Sequence, residues 1–545
     1  MVFLKKHWPF ITALGMFWVV VGICSIISIK QNQGHFVYAL DDPYIHMAIA
    51  KNSAQHGVWG VTRYGFSSSS SSLLWTLLLS LVYSLVGVNE VTPFILNMIF
   101  SSFLIFLAYF IFRGYISNSV FMFLVLSSVI FFTPLPALVF TGQEHTLHTV
   151  LTVAFVYLSA VVLSRGKIDS FESSWLLILA PLIVMTRYEG LFLVFVLGVL
   201  FLVRGNPLYA LALFGLCILP VVIYGLISFS NGWYLLPNSV LLKGNIPDIS
   251  SLGHLINFIR SGYQQMALRP HVYILILGTL LIFHFRINKE REIWKDRTIM
   301  MIVFIGTTCL HMQFAKTGWF YRYEAYLVAL GVFVMAISLS AYLGERSRIW
   351  ISKKSVVRYV PLAFLTLFTL LPFVARGILS VRNIPAATKN IYEQQYQIGV
   401  FLKKFYQGEG VAANDVGVIN YLADIRCIDL WGLANSEVAR AKKKREYNTE
   451  KIDKLTKEAN AKIAVLYEQC FDVCGGLPRQ WIKVGQWKIL NNLVCAHDIV
   501  SFYAVDRLAR NILIANLQEF SSELPNNIGQ SGTYVELNRG LYRYR

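Results

Sequence analysis

The run WPFITALGMFWVVVGICSIISI, residues 8–29, decides the class of this 545-residue protein. It contains no charged side chain and is long enough to cross a hydrocarbon core of roughly 30 Å as a helix. Lys5 and Lys6 precede it, no small-x-small cleavage site follows it, and it is longer than the core of a signal peptide. The sequence therefore predicts a first transmembrane helix that is retained.

Similar apolar runs recur along the chain, and hydrophobic residues make up 56% of it. This composition is typical of a polytopic membrane protein. The net charge of +18 comes largely from basic residues in short loops between the runs. The positive-inside rule explains such loops, so the charge requires no nucleic-acid partner.

The charge pattern also predicts the topology. If the run 73–88 crossed the membrane, most short basic loops after it would face outward. If it lies along the outer surface or re-enters, about eleven transmembrane helices remain, with a cytoplasmic N-terminus. We predict this second arrangement, with a membrane domain over residues 1–385 that includes a first outer loop at 30–92. Residues 386–545 then form an extracytoplasmic, soluble α/β domain.

The segment FSSSSSSLLW, residues 66–75, precedes the run that is not expected to span. Two interpretations stay open. The serines either cap helix ends and lie along a wet interface, or they form a flexible linker. Trp75 is expected at the level of the lipid headgroups, where tryptophan is enriched.

The predicted soluble domain contains four cysteines, Cys427, Cys470, Cys474 and Cys495. In an oxidising compartment they would permit disulfides, whose pairing the spacing leaves open. The pair at 470 and 474 resembles half of a zinc site but lacks a matching His/Cys pair.

Other polar residues of this domain have simpler interpretations. The basic run from Lys442 to Arg445 is expected to be a solvated helix face, with contact to anionic lipid headgroups as the alternative. Asp415 and Asp429 are expected to shape turns.

The stretch LDDPYIHMAIAKN, residues 40–52, places Asp41 and Asp42 just after the first span. An ionised group near hydrocarbon is costly, so a close pair there indicates a functional site. Each carboxylate raises the pKa of the other toward the working pH, which suits a general base. The alternative is that the pair only caps a helix that runs through 43–56.

The predicted topology places the other unusual polar segments on the same outer face. Several of their charged residues lie at helix ends, where they can point into a shared cavity. Carboxylates and cations around one cavity suit a reaction that needs a base and a stabilised anionic leaving group. The segments are TGQEHTLHT (141–149), TRYEG (186–190), LLPNSVLLKG (235–244) and FYRYEAYL (320–327).

Together with NDVGVINYLADIRCIDLWGL (414–433), these motifs follow an order that resembles the GT-C membrane glycosyltransferases. The resemblance extends to bacterial arabinofuranosyltransferases that use decaprenyl-phosphate arabinose. It implies transfer of a sugar from a polyprenyl-phosphate carrier to a hydroxyl of a glycan, lipid or protein acceptor. The reaction would take place at the outer face of the cytoplasmic membrane, in cell-envelope glycan or glycolipid assembly.

The resemblance, together with the side-chain chemistry, implies a role for each motif residue. Asp41 would be the catalytic base, oriented by Asp42. The donor phosphate would be bound by Arg187, Lys243 and Arg322, for each of which ordinary headgroup contact is the alternative. Substrate contacts are expected from Tyr44, Glu144, His145, Glu189, Asn238 and Tyr323. For Glu144, an ion pair with Arg187 is the alternative.

A divalent cation is left open, with Asp41, Asp42 and His46 as its candidate ligands. This chain also departs from the family pattern, because Tyr188 replaces a proline and His145 replaces a threonine. Those departures leave the sugar undetermined.

The alternative function is a flippase or transporter of lipid-linked sugars, which would bind the same carrier. Charges in the middle of helices would favour a flippase, whereas a base at the outer rim favours a transferase. A secondary transporter would need internal repeats, and none is visible in the sequence.

Overall fold

The computed structural model describes residues 2–168, 170–242, 251–290, 292–346 and 356–542. The protein is mostly helical and has one sheet in its C-terminal part. The chain divides into two compact units. Unit 1 comprises Met1–Cys24, Phe94–Ile223 and Lys243–Asn383, and unit 2 comprises Ser25–Pro93, Tyr224–Leu242 and Ile384–Arg545. Residues 386–545, predicted to be a separate domain, therefore lie in a unit that also contains the whole of the predicted first outer loop, 30–92.

The helices, numbered in chain order, are α1 Val2–Gln31, α2 Asp42–His56, α3 Leu73–Val86, α4 Thr92–Phe112, α5 Ser119–Phe132, α6 Leu135–Thr141, α7 His145–Arg165, α8 Phe171–Thr186, α9 Gly190–Val203, α10 Pro207–Ser230, α11 Asn238–Leu241, α12 Leu252–Ala267, α13 Pro270–Glu290, α14 Asp296–Phe314, α15 Ala325–Arg346, α16 Val356–Ile391, α17 Gln397–Phe405, α18 Val418–Leu422, α19 Ser436–Lys444, α20 Thr449–Glu458, α21 Arg507–Phe520 and α22 Thr533–Tyr542. A π-helical turn, Tyr392–Tyr396, joins α16 to α17, and a 3₁₀ turn covers Glu468–Cys474. The strands are β1 Gly410–Ala413, β2 Arg426–Asp429, β3 Ala461–Leu466, β4 Ile482–Lys488, β5 Ile499–Ala504 and β6 Gly529–Ser531.

Among the described residues, 8 helical segments are long and apolar enough to cross a membrane. The helices α3, α8, α9 and most of α15 are shorter apolar segments. With 14 residues, α3 is about 21 Å long, less than the hydrocarbon core of a bilayer. The predicted class, a polytopic helical membrane protein with a C-terminal domain that contains a sheet, is confirmed. The number of spans and the orientation of the termini stay predictions.

Two helices that are long and apolar enough to cross a membrane, α7 and α10, differ in their surroundings. Within its most apolar stretch, α7 is 78% buried, whereas α10 is only 28% buried. Accordingly, α7 carries His148, Thr149 and Thr152 inside the protein, and α10 exposes side chains such as Leu219 and Leu226. A helix enclosed by protein can hold polar residues that a lipid-facing helix cannot. Because α7 is enclosed by protein, it can contribute polar side chains to a functional site.

The sheet of unit 2 has the strand order β2-β1-β3-β5-β4-β6. Strand β1 pairs in parallel with both β2 and β3, and the remaining pairs are antiparallel. Alternate residues of β3 point to opposite faces, so Val465 packs in one core with α17 and α21, and Leu466 packs in the other with α19 and α20. Helices therefore cover both faces of the sheet, as an α/β domain requires.

The carboxyl ends of the parallel strands β1 and β3 hold the polar residues of this unit. Strand β1 leads into Asn414 and Asp415, and β3 leads into Tyr467. The Asn414 side chain accepts a hydrogen bond from the Tyr467 backbone N–H at 2.9 Å. Ligands of open α/β sheets bind at this edge of the strands.

The serine-rich segment is part of the core of unit 2. Ser72 caps α3 by accepting a bond from the Trp75 backbone N–H, as one of the two interpretations predicted. The preceding serines, Ser67 to Ser70, are all buried, so the segment is neither a wet interface nor a flexible linker. Trp75 lies on the buried face of α3 and is 0% exposed, and its placement at headgroup level stays a prediction.

All seven cysteines are free thiols. The disulfides that the four C-terminal cysteines would permit are therefore not formed in this structure.

We expect an impermeant thiol reagent applied to intact cells to label Asn89→Cys and not Ser117→Cys. Both positions are exposed, and the predicted topology places them on opposite sides of the membrane. A Cys309→Ser background is needed because Cys309 is itself exposed. Labelling of position 117 alone would overturn the predicted orientation.

Candidate functional site

Asp41 connects the start of α2 to the α/β part of unit 2. Its Oδ2 accepts a hydrogen bond from the Gly417 backbone N–H at 2.9 Å, and its Oδ1 accepts one from Val418 at 2.8 Å. These two N–H groups begin α18, so Asp41 caps a helix that lies far away in the sequence. The carboxylate does not cap α2 itself. The interpretation of the acidic pair as a cap for α2 is therefore wrong for Asp41.

Glycine at position 417 permits this contact. A Cβ atom there would lie 2.6 Å from Asp41 Oδ2, inside the van der Waals limit, and would also clash with the Asp41 carbonyl oxygen. Any larger residue would force the loop and the carboxylate apart. The close approach of Asp41 therefore explains why the motif NDVGV has a glycine at position 417.

Asp415 lies beside this contact in a second hydrogen-bonded group. Its Oδ2 accepts bonds from the Tyr467 hydroxyl and from the Gln395 side-chain amide, each at 2.9 Å. The Gln395 amide also donates to Tyr467, whose hydroxyl lies 2.6 Å from Gln394 Oε1. Both glutamines belong to the π-helical turn, a feature common at functional sites. Asp415 therefore belongs to a polar network and does not simply shape a turn.

Burial and neighbouring carboxylates raise the pKa values of Asp41 and Asp415. Burial raises the pKa of Asp41 well above its ordinary value, as do the nearby charges of Asp415 and Asp42, while the bonds from Val418 and Gly417 lower it in part. Burial also raises the pKa of Asp415, against the bonds from Gln395 and Tyr467. A carboxylate with a raised pKa is a stronger base than one in water.

Asp42, the other member of the predicted pair, is the first residue of α2 and is half-buried. Tyr44 is 0% exposed, and its hydroxyl accepts a bond from the Tyr38 backbone N–H at 3.2 Å. Its ring packs against Tyr38 and Tyr421. This placement favours a packing role for Tyr44 over the predicted contact with substrate.

His46 is surrounded by side-chain hydroxyl groups. Its Nδ1 lies 2.9 Å from the Thr76 hydroxyl and 3.3 Å from that of Ser70, and its Nε2 lies 3.4 Å from that of Ser71. Among the described residues, no group of three or more His, Cys, Asp or Glu side chains is placed to hold a metal ion. A divalent cation bound by Asp41, Asp42 and His46 stays a prediction.

Asn238 and Asp429 hold two loops of unit 2 together. The Asp429 carboxylate accepts bonds from the backbone N–H groups of Trp431, Gly432 and Ala434, which shapes the turn as predicted. The Asn238 amide donates to the Gly432 carbonyl at 2.9 Å, and the side chain is fully buried. The predicted contact of Asn238 with substrate stays a prediction. The neighbouring motif residue Lys243 lies outside the described residues.

In unit 1, Arg187 is held by two carboxylates. Its Nη1 donates to Glu144 at 2.7 Å, and its Nη2 and Nε donate to the two oxygens of Glu189 at 2.6 and 3.2 Å. The structure thus shows the ion pair between Glu144 and Arg187 that was the alternative for Glu144. Burial raises the pKa of Glu189, but the Arg187 charge outweighs it and holds that pKa below its ordinary value.

Arg322 and Tyr323 extend this cluster. The Arg322 guanidinium donates to the Gln143 side-chain oxygen and to the Tyr323 hydroxyl. The Tyr323 ring lies 4.8 Å from Arg322 and 5.5 Å from Arg187, so both cations interact with one aromatic ring. His145 lies close by, with its Nε2 3.5 Å from Arg187 Nη1. The structure therefore brings the predicted residues of three separate motifs together.

The segment before Arg322 adopts an unusual backbone. Gly318, Trp319, Phe320 and Tyr321 all have positive φ, between 44° and 86°. The Glu324 carboxylate accepts a bond from the Gly318 N–H at 2.7 Å and pairs with Arg376 at 2.9 Å. Arg376 in turn donates to the Tyr321 carbonyl at 2.9 Å.

Sequence reasoning missed Arg376, Tyr467, Gln394 and Gln395. Arg376 lies in α16 without a motif around it, and a basic residue inside an apolar run is the one signal that would have indicated it. No local signal distinguishes the two glutamines. That the acidic cluster of unit 2 and the cationic cluster of unit 1 face one cavity stays a prediction.

We expect Glu189→Gln to destabilise the protein by about 3–5 kcal/mol, because it leaves Arg187 buried with one of its two carboxylates. Thermal unfolding of the purified protein in detergent measures the change. Glu172→Gln is the matched control, since Glu172 pairs with Arg165 at 2.8 Å on the surface, where such pairs contribute about 0–1 kcal/mol. Equal effects of the two substitutions would contradict a structural role for the Arg187 cluster.

Comparison with known proteins identifies the fold. The family described as a domain of unknown function, DUF8728, matches residues 389–503. No curated protein matches the chain. An oligosaccharyltransferase from Archaeoglobus fulgidus, in its apo form, is similar with a TM-score of 0.50 and 13% identity, over 93% of this chain and 75% of that one. ArnT from Cupriavidus metallidurans, solved with undecaprenyl phosphate, is similar with a TM-score of 0.50 and 11% identity, over 91% of this chain and 99% of that one. These similarities confirm the predicted GT-C fold.

Proposed function

We propose that this chain is a glycosyltransferase that moves a sugar from a polyprenyl-phosphate carrier to a hydroxyl acceptor at the outer face of the cytoplasmic membrane. The observation that carries the proposal is the environment of Asp41, a half-buried carboxylate whose pKa is raised by burial and by Asp415 and Asp42. The fold supports it, because ArnT, which shares this fold, was solved with undecaprenyl phosphate. The sugar is a pentose or a hexose, and arabinose is the candidate that the motifs suggest.

In the proposed reaction Asp41 is the general base. The acceptor hydroxyl gives its proton to the carboxylate while its oxygen attacks the anomeric carbon of the donor sugar. The bond from that carbon to the phosphate oxygen breaks, and the polyprenyl phosphate leaves with the electron pair. General-base catalysis of this kind contributes about 10²–10⁴-fold to the rate.

The contacts of Asp41 are compatible with this role. Each of its oxygens accepts one backbone N–H, and a carboxylate oxygen has a second lone pair that can take a proton. The two N–H groups fix the carboxylate in one orientation toward the acceptor. Asp42 and Asp415 keep it basic by opposing its negative charge.

The cationic cluster of unit 1 would stabilise the leaving phosphate. Arg322 of this cluster is a proposed phosphate ligand, because a cation near the leaving oxygen favours its developing charge. Lys243, which belongs to another motif and lies outside the described residues, is the second proposed ligand. Arg187 was predicted for the same role, but Glu144 and Glu189 already occupy its guanidinium. A phosphate would have to compete with these carboxylates, so we assign Arg187 to the positioning of Tyr323 and its neighbours.

Mass analysis of a polyprenyl-phosphate sugar incubated with the purified protein tests the function. A transferase converts the donor to free polyprenyl phosphate when a hydroxyl acceptor is supplied. A flippase moves the lipid across a vesicle membrane and leaves the donor intact. Unconverted donor in the presence of a broad set of glycan, lipid and peptide acceptors would contradict the proposal.

We expect Asp41→Asn to lose about 10²-fold or more in turnover, the usual scale for a general base. The substitution is not structurally silent, because its amide NH₂ replaces one of the two acceptor oxygens for Gly417 and Val418. An unpaired N–H there costs about 1–3 kcal/mol. Thermal unfolding must therefore be measured alongside turnover. Full activity in a folded Asp41→Asn protein would remove Asp41 as the base.

Asp415→Asn tests the basicity of Asp41 without altering the Asp41 carboxylate or its bonds to Gly417 and Val418. It removes a negative charge that raises the pKa of Asp41, so the acidic limb of the pH profile of kcat/KM should move to lower pH. Asp498→Asn, a surface position in the same unit, should leave the profile unchanged. An unshifted limb in an active Asp415→Asn protein would show that Asp41 does not set the profile.

We expect Arg322→Gln to weaken donor binding by about 1.5–3 kcal/mol, the contribution of a charge-assisted hydrogen bond. A direct binding titration with a polyprenyl-phosphate sugar in detergent measures this change. Arg165→Gln, which removes a surface cation of the same unit, is the control and should leave the affinity unchanged. Equal donor affinity in Arg322→Gln and in the unsubstituted protein would refute the assignment.

A further inference from the structure

Helix α19 of unit 2 ends in a dense group of cations. Arg440, Lys443, Lys444 and Arg445 are all exposed, and Lys442 is half-buried. Lys442 lies over the Trp431 ring and Lys443 over the Tyr234 ring. We call the four exposed cations, together with these two aromatic residues, the α19 basic surface.

The exposed cations of α19 differ from those of the neighbouring helix α20 in their partners. Within the described residues, none of Arg440, Lys443, Lys444 and Arg445 forms an ion pair with a carboxylate. The neighbouring helix α20 differs, because Lys457 pairs with Asp453 at 2.6 Å, Lys454 with Glu458 at 3.7 Å and Lys451 with Glu437 at 3.4 Å. The charge of α20 is therefore largely balanced by the protein, and that of the α19 basic surface is not.

The α19 basic surface lies against the segment that follows α10. Helix α10 has 24 residues and is apolar enough to cross a bilayer. Just after its end, the Gly232 carbonyl accepts a bond from Arg440, and the Tyr234 ring lies 5.0 Å from the Lys443 ammonium. The four residues in these two contacts, Gly232, Tyr234, Arg440 and Lys443, all belong to unit 2.

The exposed side chains of α10 indicate the depth of this contact. Leu226, Ile227 and Phe229 are 58%, 48% and 65% exposed, so an apolar surface continues almost to the last residue of the helix. The chain then turns polar at Asn231 and presents two aromatic residues, Trp233 and Tyr234. Aromatic residues in this position are typical of the headgroup region. With α10 across the bilayer, the cations of α19 that contact this segment would lie at headgroup depth.

We propose that the α19 basic surface binds the phosphate groups of anionic membrane lipids. Arginine can bind a phosphate through two N–H groups, lysine supplies a compact charge, and an indole suits the adjacent polar region. Trp431 is 43% exposed, and Lys442 lies 3.7 Å from the centre of its ring, which holds the indole beside the cations. The contact anchors the α/β part of unit 2 to the bilayer. It does not depend on the proposed transferase activity.

Amide hydrogen exchange of the full-length protein in lipid nanodiscs tests the proposal. Exchange is compared in nanodiscs of pure phosphatidylcholine and in nanodiscs with increasing fractions of phosphatidylglycerol. Amides of residues 431–446 should be protected as the anionic fraction rises, and salt should remove the protection. Each of Lys443→Gln and Lys444→Gln should weaken the apparent lipid association about fivefold, the equivalent of about 1 kcal/mol per charge.

The triple variant Arg440→Gln/Lys443→Gln/Lys444→Gln should abolish the dependence on anionic lipid. The matched control is Lys451→Gln/Lys454→Gln/Lys457→Gln on α20, which removes as many charges and should retain it. Equal protection in both lipids, or the same loss in both triple variants, would overturn the proposal. Protection that appears only with an added soluble polyanion, such as an acidic glycan, would also overturn it and indicate a different partner.

Discussion

The carboxylate of Asp41 has to satisfy two backbone N–H groups that lie more than 370 positions away in the chain. This contact joins the start of α2 to the loop that follows β1, and it requires a glycine at position 417 because no Cβ fits there. Two N–H groups compensate only part of the cost of burying the charge, since Asp415 and Asp42 oppose it. The bonds that fix the loop lower the pKa of Asp41, whereas burial and the neighbouring carboxylates raise it by more, so the carboxylate stays basic although it is held in place.

The carboxylates of unit 1 are in the opposite situation. Glu144 and Glu189 both pair with Arg187, and Glu324 pairs with Arg376. Their charges are compensated by cations, and the pKa of Glu189 stays below its ordinary value. Environments that push carboxyl pKa values apart are the usual basis for assigning acid–base roles. The raised pKa of Asp41 in unit 2 therefore suits proton transfer, whereas the paired carboxylates of unit 1 are suited to keeping the arginines in place.

The sequence predicted the features that have a local signal. Apolar runs indicated the membrane helices, and the order of the motifs indicated the GT-C fold that comparison confirmed. The pairing of Glu144 with Arg187 was anticipated as an alternative because both belong to motifs. The burial of Trp75 was not predictable in this way, since it depends on where α3 packs and not on its composition.

The polar network around Asp415 shows the same limit. Tyr467 follows β3, and Gln394 and Gln395 lie in the π-helical turn, so these partners meet only when the parallel strands are in register. Tyrosine and glutamine are too common for their positions alone to indicate a site. The sequence predicted only a turn at Asp415, and the fold was needed to show the partners of its carboxylate.

A buried ion pair between Glu324 and Arg376 lies beside the left-handed turn that precedes Arg322, and the turn provides a reason for it. Trp319, Phe320 and Tyr321 each adopt a positive φ, which costs of order 1–3 kcal/mol per non-glycine residue. The Glu324 carboxylate and the Arg376 guanidinium hold both ends of this turn through the Gly318 N–H and the Tyr321 carbonyl. Buried ion pairs contribute little net stability, but they can select one conformation. Arg322 directly follows the turn, so the ion pair that fixes the turn also fixes the backbone position of Arg322. From this position the Arg322 guanidinium reaches Gln143 and Tyr323.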